Sequence, residues 1–465
     1  MNHGAPPASE ATPATSGLRF RQASTIGLLF TGYAAYYFCR SDLSVAMPLL
    51  IEDLHGHGVN SNTAVVRLGT IVSLGVLAYA LGKLFLTGLG DFWGGRRSFT
   101  AGLGGAIAFT LLFASGGSLP LFALAWFGNR LAQSIGWAGL VKVSSKWFDY
   151  TSYGTVMGVL SLSFLVGDAA ARQSMAVLLR HGCGWRGLFY FAAGVAGFVL
   201  AANLLFLRES RVEAGFSEAR VNPLNVFGNS DAKPESFRTL LRPLLGSRAF
   251  LFVCLLSLGT TIVRESFNTW TPTYFREFFG YSASSAASLS AVFPAVGAVS
   301  VVVVGWLSDR WGLTGRSVIM FWGLAASAFA LAALTFVPRT VSSSFVPVAL
   351  VGTVAFCLLG PYSYLAGAFA LDFGGRRGGA ASSGIIDGVG YIGGALAGDT
   401  AARIAVTFGW RGVFFALAIV SVLSAAASAS LYYQSAHERT GGPGGQGLAP
   451  GEEPICERSS RHEQG

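Results

Sequence analysis

Charge is scarce in this sequence. Asp, Glu, Lys and Arg make up 12% of the 465 residues, about half the near-25% share of a soluble domain. A chain that is also 52% hydrophobic, with a mean hydropathy of +0.53, has too little polar surface to meet water on every side, so an integral membrane protein is expected. Histidine is missing where it could relay protons: His3, His55, His57, His181, His437 and His462 all fall in tails or outer loops. The five cysteines, Cys39, Cys183, Cys254, Cys357 and Cys456, are scattered. They lack the spacing of a disulfide framework or a metal site, and packing is their expected role. No glycine-rich nucleotide loop, metal-ligand cluster or nucleophile–base pair lies at depth, so neither a cofactor nor an enzyme is expected. No basic stretch is interleaved with aromatics either. The net charge of +9 therefore points to basic cytoplasmic loops rather than nucleic acid. No short apolar region with a cleavage site precedes the first long apolar run, so no removable signal peptide is expected.

What the chain has is apolar runs, at about residues 24–50, 66–89, 98–115, 119–145, 153–180, 184–207, 249–278, 283–307, 316–337, 343–371, 378–406 and 410–433. Each is of a length to cross a bilayer as a helix, and the 61 glycines suit helices that approach closely in lipid. The expected fold class is all-α, twelve transmembrane helices in two pseudo-symmetric six-helix bundles. The expected organisation is a disordered cytoplasmic tail (1–22), an N-terminal bundle (23–207), a cytoplasmic linker (208–247), a C-terminal bundle (248–433) and a second disordered tail (434–465). Lysine and arginine crowd the connections at 94–98, Lys146, the linker, 309–316 and 374–377. By the positive-inside rule these are cytoplasmic, and both termini with them.

The first run holds an arginine near its middle, in Tyr33-Ala-Ala-Tyr-Tyr-Phe-Cys-Arg40. A guanidinium at that depth costs roughly several kcal/mol unless it meets water, a counter-charge or a ligand. Tyr33, Tyr36 and Tyr37 put phenols one and two turns away. A fixed cation among phenolic donors suits an oxyanion, phosphate above all, because arginine offers a planar two-pronged donor. The halves also repeat. Gly184-Trp-Arg-Gly-Leu-Phe189 returns as Gly409-Trp-Arg-Gly-Val-Phe414, an offset of 409 − 184 = 225. The same offset carries Arg40 to the neighbourhood of Arg264, also at mid-run. Two such arginines would face each other between the halves, where carriers built of repeats place their substrate site. The structural alternatives are pairing of Arg40 with Asp42, or of Arg264 with Glu265. The second is disfavoured because adjacent helical residues point apart.

Gly88-Leu-Gly-Asp91 with Arg96-Arg97 resembles the loop motif of the major facilitator superfamily. Gly32–Arg40 with Ala46-Met-Pro48, Tyr79-Ala-Leu-Gly-Lys83, Gly136-Trp137, Trp270-Thr-Pro-Thr-Tyr274, Gly360-Pro361 and Gly390-Tyr-Ile-Gly-Gly394 resemble segments of its organophosphate:phosphate antiporter family. That group includes bacterial glycerol-3-phosphate and hexose-6-phosphate transporters. The resemblance implies that Arg40 and Arg264 hold a phosphate, that Lys83, Tyr33, Tyr37 and Tyr79 line the site, and that a phosphorylated small molecule exchanges for inorganic phosphate. Phe164, Thr269 and the vicinity of Pro294 depart from the glycerol-3-phosphate carriers. Tyr274, Gln133 and Trp137 are further candidates for the lining. Asp168 and Arg172, four apart on one helix face, form either a neutralising pair or a selectivity pair for the organic moiety. Asp387 is a pairing residue or a gate. Asp91, Arg96 and Arg97, and Asp309, Arg310 and Arg316 in the other half, are expected to lock the cytoplasmic gate. The expectation is a monomeric multi-pass carrier of a bacterial inner or plasma membrane, alternating access around an anion that neutralises facing cations. A membrane sensor of a phosphate ester and a transporter of another organic anion are the rivals.

Overall fold

The computed structural model describes residues 13–86, 93–219, 244–339, 345–365 and 369–440. Among them every regular element is a helix: α1 Pro13–Gly56, α2 Ser61–Phe85, α3 Gly95–Ser115, α4 Leu119–Gln133, α5 Gly136–Trp147, α6 Tyr150–Arg180, α7 Trp185–Phe206, α8 Arg248–Phe279, α9 Ala283–Ser290, α10 Val292–Phe336, α11 Phe345–Tyr362 and α12 Ala370–Thr440. Nine stretches among the described residues are long and apolar enough to cross a membrane. Phe198, Trp322, Phe329, Phe336 and Phe408 turn outward and are largely exposed, as lipid-facing side chains should be.

The elements differ from the twelve expected runs at four places, and the spans survive in each. The fourth run is split into α4 and α5 at Ser134 and Ile135, and the eighth at Ala291, between α9 and α10. The other two cases are helices that carry two runs each. In α12, Gly393 lies against Leu258 and Ser424 against Gly259. These two residues of α12 would be ~46 Å apart on a straight helix, yet both meet one spot on α8. The reversal falls at Gly409, whose φ of +72° no right-handed helix continues through. In α10, Ser300 donates to the Phe356 carbonyl while Gly323 packs against Cys357 and Pro361, so this helix doubles back on α11 as well. The fold is thus twelve spans in two six-helix bundles.

The repeated Gly-Trp-Arg-Gly motif does the same work twice. Arg186 donates to the carbonyl of Gly116 just past α3, at 3.3 Å, and Arg411 to that of Val337 just past α10, at 3.5 Å. Each places a cation on the orphan carbonyls of a helix C-terminus.

The halves meet through α1–α8, α2–α12 and α6 against α9 and α10. Two faces of the molecule are distinguishable: the linker face, where α7 ends and α8 begins, and the opposite face, which carries the α1–α2 turn. Near the opposite face the halves are tied. Ser44 donates to the carbonyls of Asn268 and Thr269 at 2.7 and 2.8 Å, Thr70 to Asp399 at 2.8 Å, and Gln173 to the Ser288 carbonyl at 3.1 Å. Toward the linker face a cavity of about 510 Å³ separates Thr155, Val159 and Leu162 of α6 from Val301 and Gly305 of α10. The conformation is therefore closed at the opposite face. Gly69 and Gly398 make that closure possible: a Cβ on Gly398 would lie 2.4 Å from the Gly69 carbonyl oxygen and 2.7 Å from the Ser73 nitrogen. Gly398→Ala should destabilise the closed form and slow transport about tenfold, an overpacking cost of about 1–3 kcal/mol. Labelling of a reporter cysteine from the opposite face should rise in parallel; unchanged labelling would show that this contact does not set the closure.

Candidate functional site

Arg40 on α1 and Arg264 on α8 are both buried at mid-helix, their side chains 10% and 7% exposed. Between them stands Glu265. Its Oε1 is 2.7 Å from Arg264 Nη2 and 3.8 Å from Arg40 Nη2, and its Oε2 is 3.8 Å from Arg130 Nη2 of α4. Three guanidiniums from both halves thus converge on one carboxylate, and compensation of this kind is what buried charges require. Neighbouring helical residues point apart, yet Arg264 and Glu265 pair, because the long arginine side chain bends back to its neighbour. Asp42 is not a partner of Arg40: its Oδ1 accepts from the Leu43 amide at 2.7 Å.

Aromatic rings frame the cations. Arg40 lies over Tyr37 and Tyr79, 5.1 and 4.8 Å from their centroids, and Arg130 over Tyr79 at 5.2 Å. Arg264 lies 4.6 Å over Tyr362 and donates to the Tyr391 hydroxyl at 3.2 Å. Such faces attract cations through the ring quadrupole. Lys83 joins the same aromatic group, 5.4 Å over Tyr79 and 5.2 Å over Tyr391, and ion-pairs with Asp387 at 2.7 Å. Asp387 is thus a pairing residue between α2 and α12.

Asp168 and Arg172 pair along α6, Nε to Oδ1 at 2.8 Å. Ser41 of α1 also donates to Asp168, and Arg172 donates to Ser290 of α9 at 3.1 Å and to the Asn268 carbonyl of α8 at 2.7 Å. The pair borders a cavity of about 40 Å³ that it shares with Tyr37, Arg40, Arg130 and Glu265. Phe164 closes a neighbouring pocket beside Tyr37, Arg264 and Asn268.

Other expected lining residues stand elsewhere. Tyr274 is ten residues beyond Arg264, ~15 Å along the helix, and is packed among Phe278, Trp410 and Phe414. Gln133 is turned into the bundle, donating to the Cys39 carbonyl at 3.0 Å and to Asn129 at 2.6 Å. Tyr36 also faces inward, its hydroxyl bonded to the Phe99 carbonyl. Tyr33 and Trp137 pack against each other with tilted rings, 5.1 Å between centroids, and stand behind Tyr37, itself 5.9 Å from Tyr33. The sequence alone does not point to Arg130, Tyr362 or Tyr391, and points to Glu265 only as a disfavoured partner of Arg264. Arg130 carries the same signal as Arg40, an arginine within an apolar run.

Of the gate residues, Asp91 lies outside the described residues, as do the side chains of Asp309 and Arg310. Arg316 borders the linker-face cavity and Arg97 is exposed. The Arg96 guanidinium donates to the Leu204 carbonyl at 2.5 Å. Its amide and that of Gly95 donate to Glu209 at 2.7 and 2.9 Å, and Lys146 meets the same carboxylate at 2.6 Å. Glu209 thus holds the N-terminus of α3, where donors and dipole favour an anion. Partial burial pushes its pKa up, but the Lys146 ammonium and the two amides outweigh this and hold it below the usual range. The stabilisation is full above the ordinary glutamate pKa of about 4.3 and is lost as pH falls through the lower folded value. Glu209→Gln should therefore cost about 1 kcal/mol at neutral pH and progressively less in acid, as pH falls below the ordinary glutamate range. Thermal unfolding in detergent at neutral and acid pH checks this, and an undiminished difference in acid would contradict it.

Comparison with known proteins agrees with this architecture. The Major Facilitator Superfamily model matches residues 29–398. A probable hexose phosphate transport protein of Chlamydia pneumoniae is 27% identical over 404 residues, covering 84% of this chain and 86% of its own. The glycerol-3-phosphate transporter of Bacillus subtilis (strain 168) is 23% identical over 417 residues, 87% and 91% of the two chains. The membrane sensor protein UhpC of Escherichia coli (strain K12) is 24% identical over 408 residues, 85% and 89%. Among solved structures, a bacterial homologue of the human lysosomal transporter Spinster, inward-facing and unoccupied, superposes with a TM-score of 0.71 at 14% identity, covering 91% of this chain and 98% of that one. Its likeness bears on the fold alone. Twelve spans in two bundles, a charged centre between them and these relatives make the chain a transporter fold and not an enzyme, and it belongs to the major facilitator superfamily, with relatives named for hexose phosphate and glycerol-3-phosphate transport.

Proposed function

We propose that the protein carries a phosphorylated small molecule, a sugar phosphate or similar organophosphate, across a bacterial inner or plasma membrane in exchange for inorganic phosphate. The observation that carries this reading is the convergence of Arg40, Arg130 and Arg264, from both halves, on one buried carboxylate. Lys83 is matched by Asp387 and Arg172 by Asp168, so the three arginines and Glu265 by themselves sum to +3 − 1 = +2. A phosphate monoester carries nearly two negative charges at neutral pH, and an uncharged sugar body leaves that balance undisturbed. Arg40 and Arg264 are the phosphate ligands; Tyr37, Tyr79, Tyr362, Tyr391 and Lys83 line the site; Asp168 and Arg172 border the space for the organic moiety beside Phe164.

The bundles 23–207 and 248–433 rock about this centre. With both termini in the cytoplasm, the linker face is cytoplasmic and the conformation described is open toward the cell interior. Bound anion removes the repulsion of the facing cations and lowers the barrier to rocking. A sensor of the same esters is the second reading, favoured by the UhpC relative.

Counterflow decides between them. Proteoliposomes loaded with phosphate and containing the full chain should accumulate labelled phosphate, and external hexose 6-phosphate, glycerol 3-phosphate or a phosphoglycerate should compete according to fit. Binding without flux would favour the sensor. Flux displaced by a simple carboxylate but not by phosphate esters would favour another anion.

A further inference from the structure

Glu265 occupies the place where an exchanged phosphate has to act. It is 4% exposed, it sits on α8, and its oxygens face Arg264 of its own half and Arg40 and Arg130 of the other. One protein carboxylate therefore bridges the halves as the substrate anion does in the reading above. Of the other carboxylates nearby, Asp168 is engaged by Arg172 and Ser41 and Asp387 by Lys83, while Asp42 accepts only from the Leu43 amide through Oδ1 and its buried Oδ2 has no hydrogen-bond partner. Arg130 Nε and Nη1 and Arg264 Nε are buried without hydrogen-bond partners. Buried donors normally find partners, so the cluster offers more donors than one carboxylate fills and accommodates an incoming oxyanion that makes more bonds.

A clamp with no anion of its own stalls when empty, because facing guanidiniums in a poorly screened interior repel. That stall is the physical origin of strict exchange. Here Glu265 offsets one of the three cations and bridges the halves, so the substrate anion removes only the repulsion that remains. We propose that Glu265 is a tethered counter-anion: it bridges Arg264 to Arg40 and Arg130 in the substrate-free carrier, yields to the substrate phosphate on binding, and lets the empty carrier reorient. The protein then performs net one-way flux of the phosphate ester as well as exchange. This inference rests on the phosphate-carrier reading.

The test uses the full chain in proteoliposomes loaded with labelled inorganic phosphate, with the membrane potential clamped. Efflux into phosphate-free buffer is compared with efflux into buffer containing phosphate. Wild-type net efflux should come within about tenfold of exchange, and Glu265→Gln, whose amide cannot neutralise the arginines, should lower the efflux-to-exchange ratio by about tenfold or more. Glu265→Asp should restore much of the ratio. The paired variant Glu265→Gln/Arg130→Gln keeps the clamp at its wild-type net charge and guards against an unstable single variant; its ratio should fall as well. The proposal is overturned if the wild type exchanges phosphate without net efflux, or if the ratio is unchanged in either glutamine variant. Wild-type protein that moves neither phosphate nor hexose 6-phosphate in any mode overturns the carrier reading itself, and this inference with it.

Discussion

Arg264→Lys should lower phosphate exchange about 100-fold, about 2.7 kcal/mol of lost stabilisation. The charge is retained, so the loss comes from geometry. Arg264 reaches Glu265 at 2.7 Å and the Tyr391 hydroxyl at 3.2 Å through one nitrogen while its Cζ lies 4.6 Å from the centroid of the Tyr362 ring. A guanidinium presents two parallel donors to a phosphate and keeps its face on a ring; an ammonium is a point charge on a flexible stem that does neither. The ground state should suffer less than the transported complex, because a lysine still compensates Glu265 in part. Thermal unfolding should therefore shift by only a few degrees while counterflow falls. Arg40→Lys should behave alike, since Arg40 stacks on Tyr37 and Tyr79 in the other half. Normal counterflow in purified, reconstituted Arg264→Lys protein would remove the paired clamp from consideration.

How much of this centre is legible in the sequence depends on the kind of signal each residue leaves. Arg40 announces itself because bilayer depth makes an arginine expensive, and the internal repeat carries that signal on to Arg264. The span count is legible because apolar length is fixed by bilayer thickness. Arg130 leaves the same signal as Arg40 but has no repeat partner to draw notice to it. Glu265 is hidden by a helix rule that holds for short side chains and fails for an arginine that folds back. Asp387 meets Lys83 across 304 positions, a contact that no local pattern foretells. Tyr274 shows the reverse error. It shares a sequence motif with the clamp helix, but helical rise puts it well beyond the site, in an aromatic group that packs α8 against Trp410 and Phe414.

The remaining large effect is expected at the opposite-face latch. Arg172 is 2% exposed and Asp168 5%, and Arg172 joins α6 to Asn268 of α8 and, beside the Gln173 tie to Ser288, to Ser290 of α9. Removing one member of such a pair leaves the other buried and uncompensated, a loss of about 3–5 kcal/mol. Arg172→Met abandons Asp168 to Ser41; Asp168→Asn leaves Arg172 with neutral acceptors only. Each single variant should unfold at a lower temperature. Arg172→Met should also open the face that Ser44 and Arg172 hold shut, so that a cysteine replacing Val72 on the cavity wall is labelled from that side about tenfold faster. The double variant Asp168→Asn/Arg172→Met carries no stranded charge. Its stability loss should fall short of the sum of the singles by about 1 kcal/mol or more, the coupling of residues in contact. Its labelling should stay fast, because the ties from Arg172 to α8 and α9 are still missing. Stability and gating thus separate in one set of proteins. Recovery of both in the double variant would make the pair a packing feature of α6, whereas recovery of stability alone identifies Arg172 as the latch that holds the halves together on the side away from the linker.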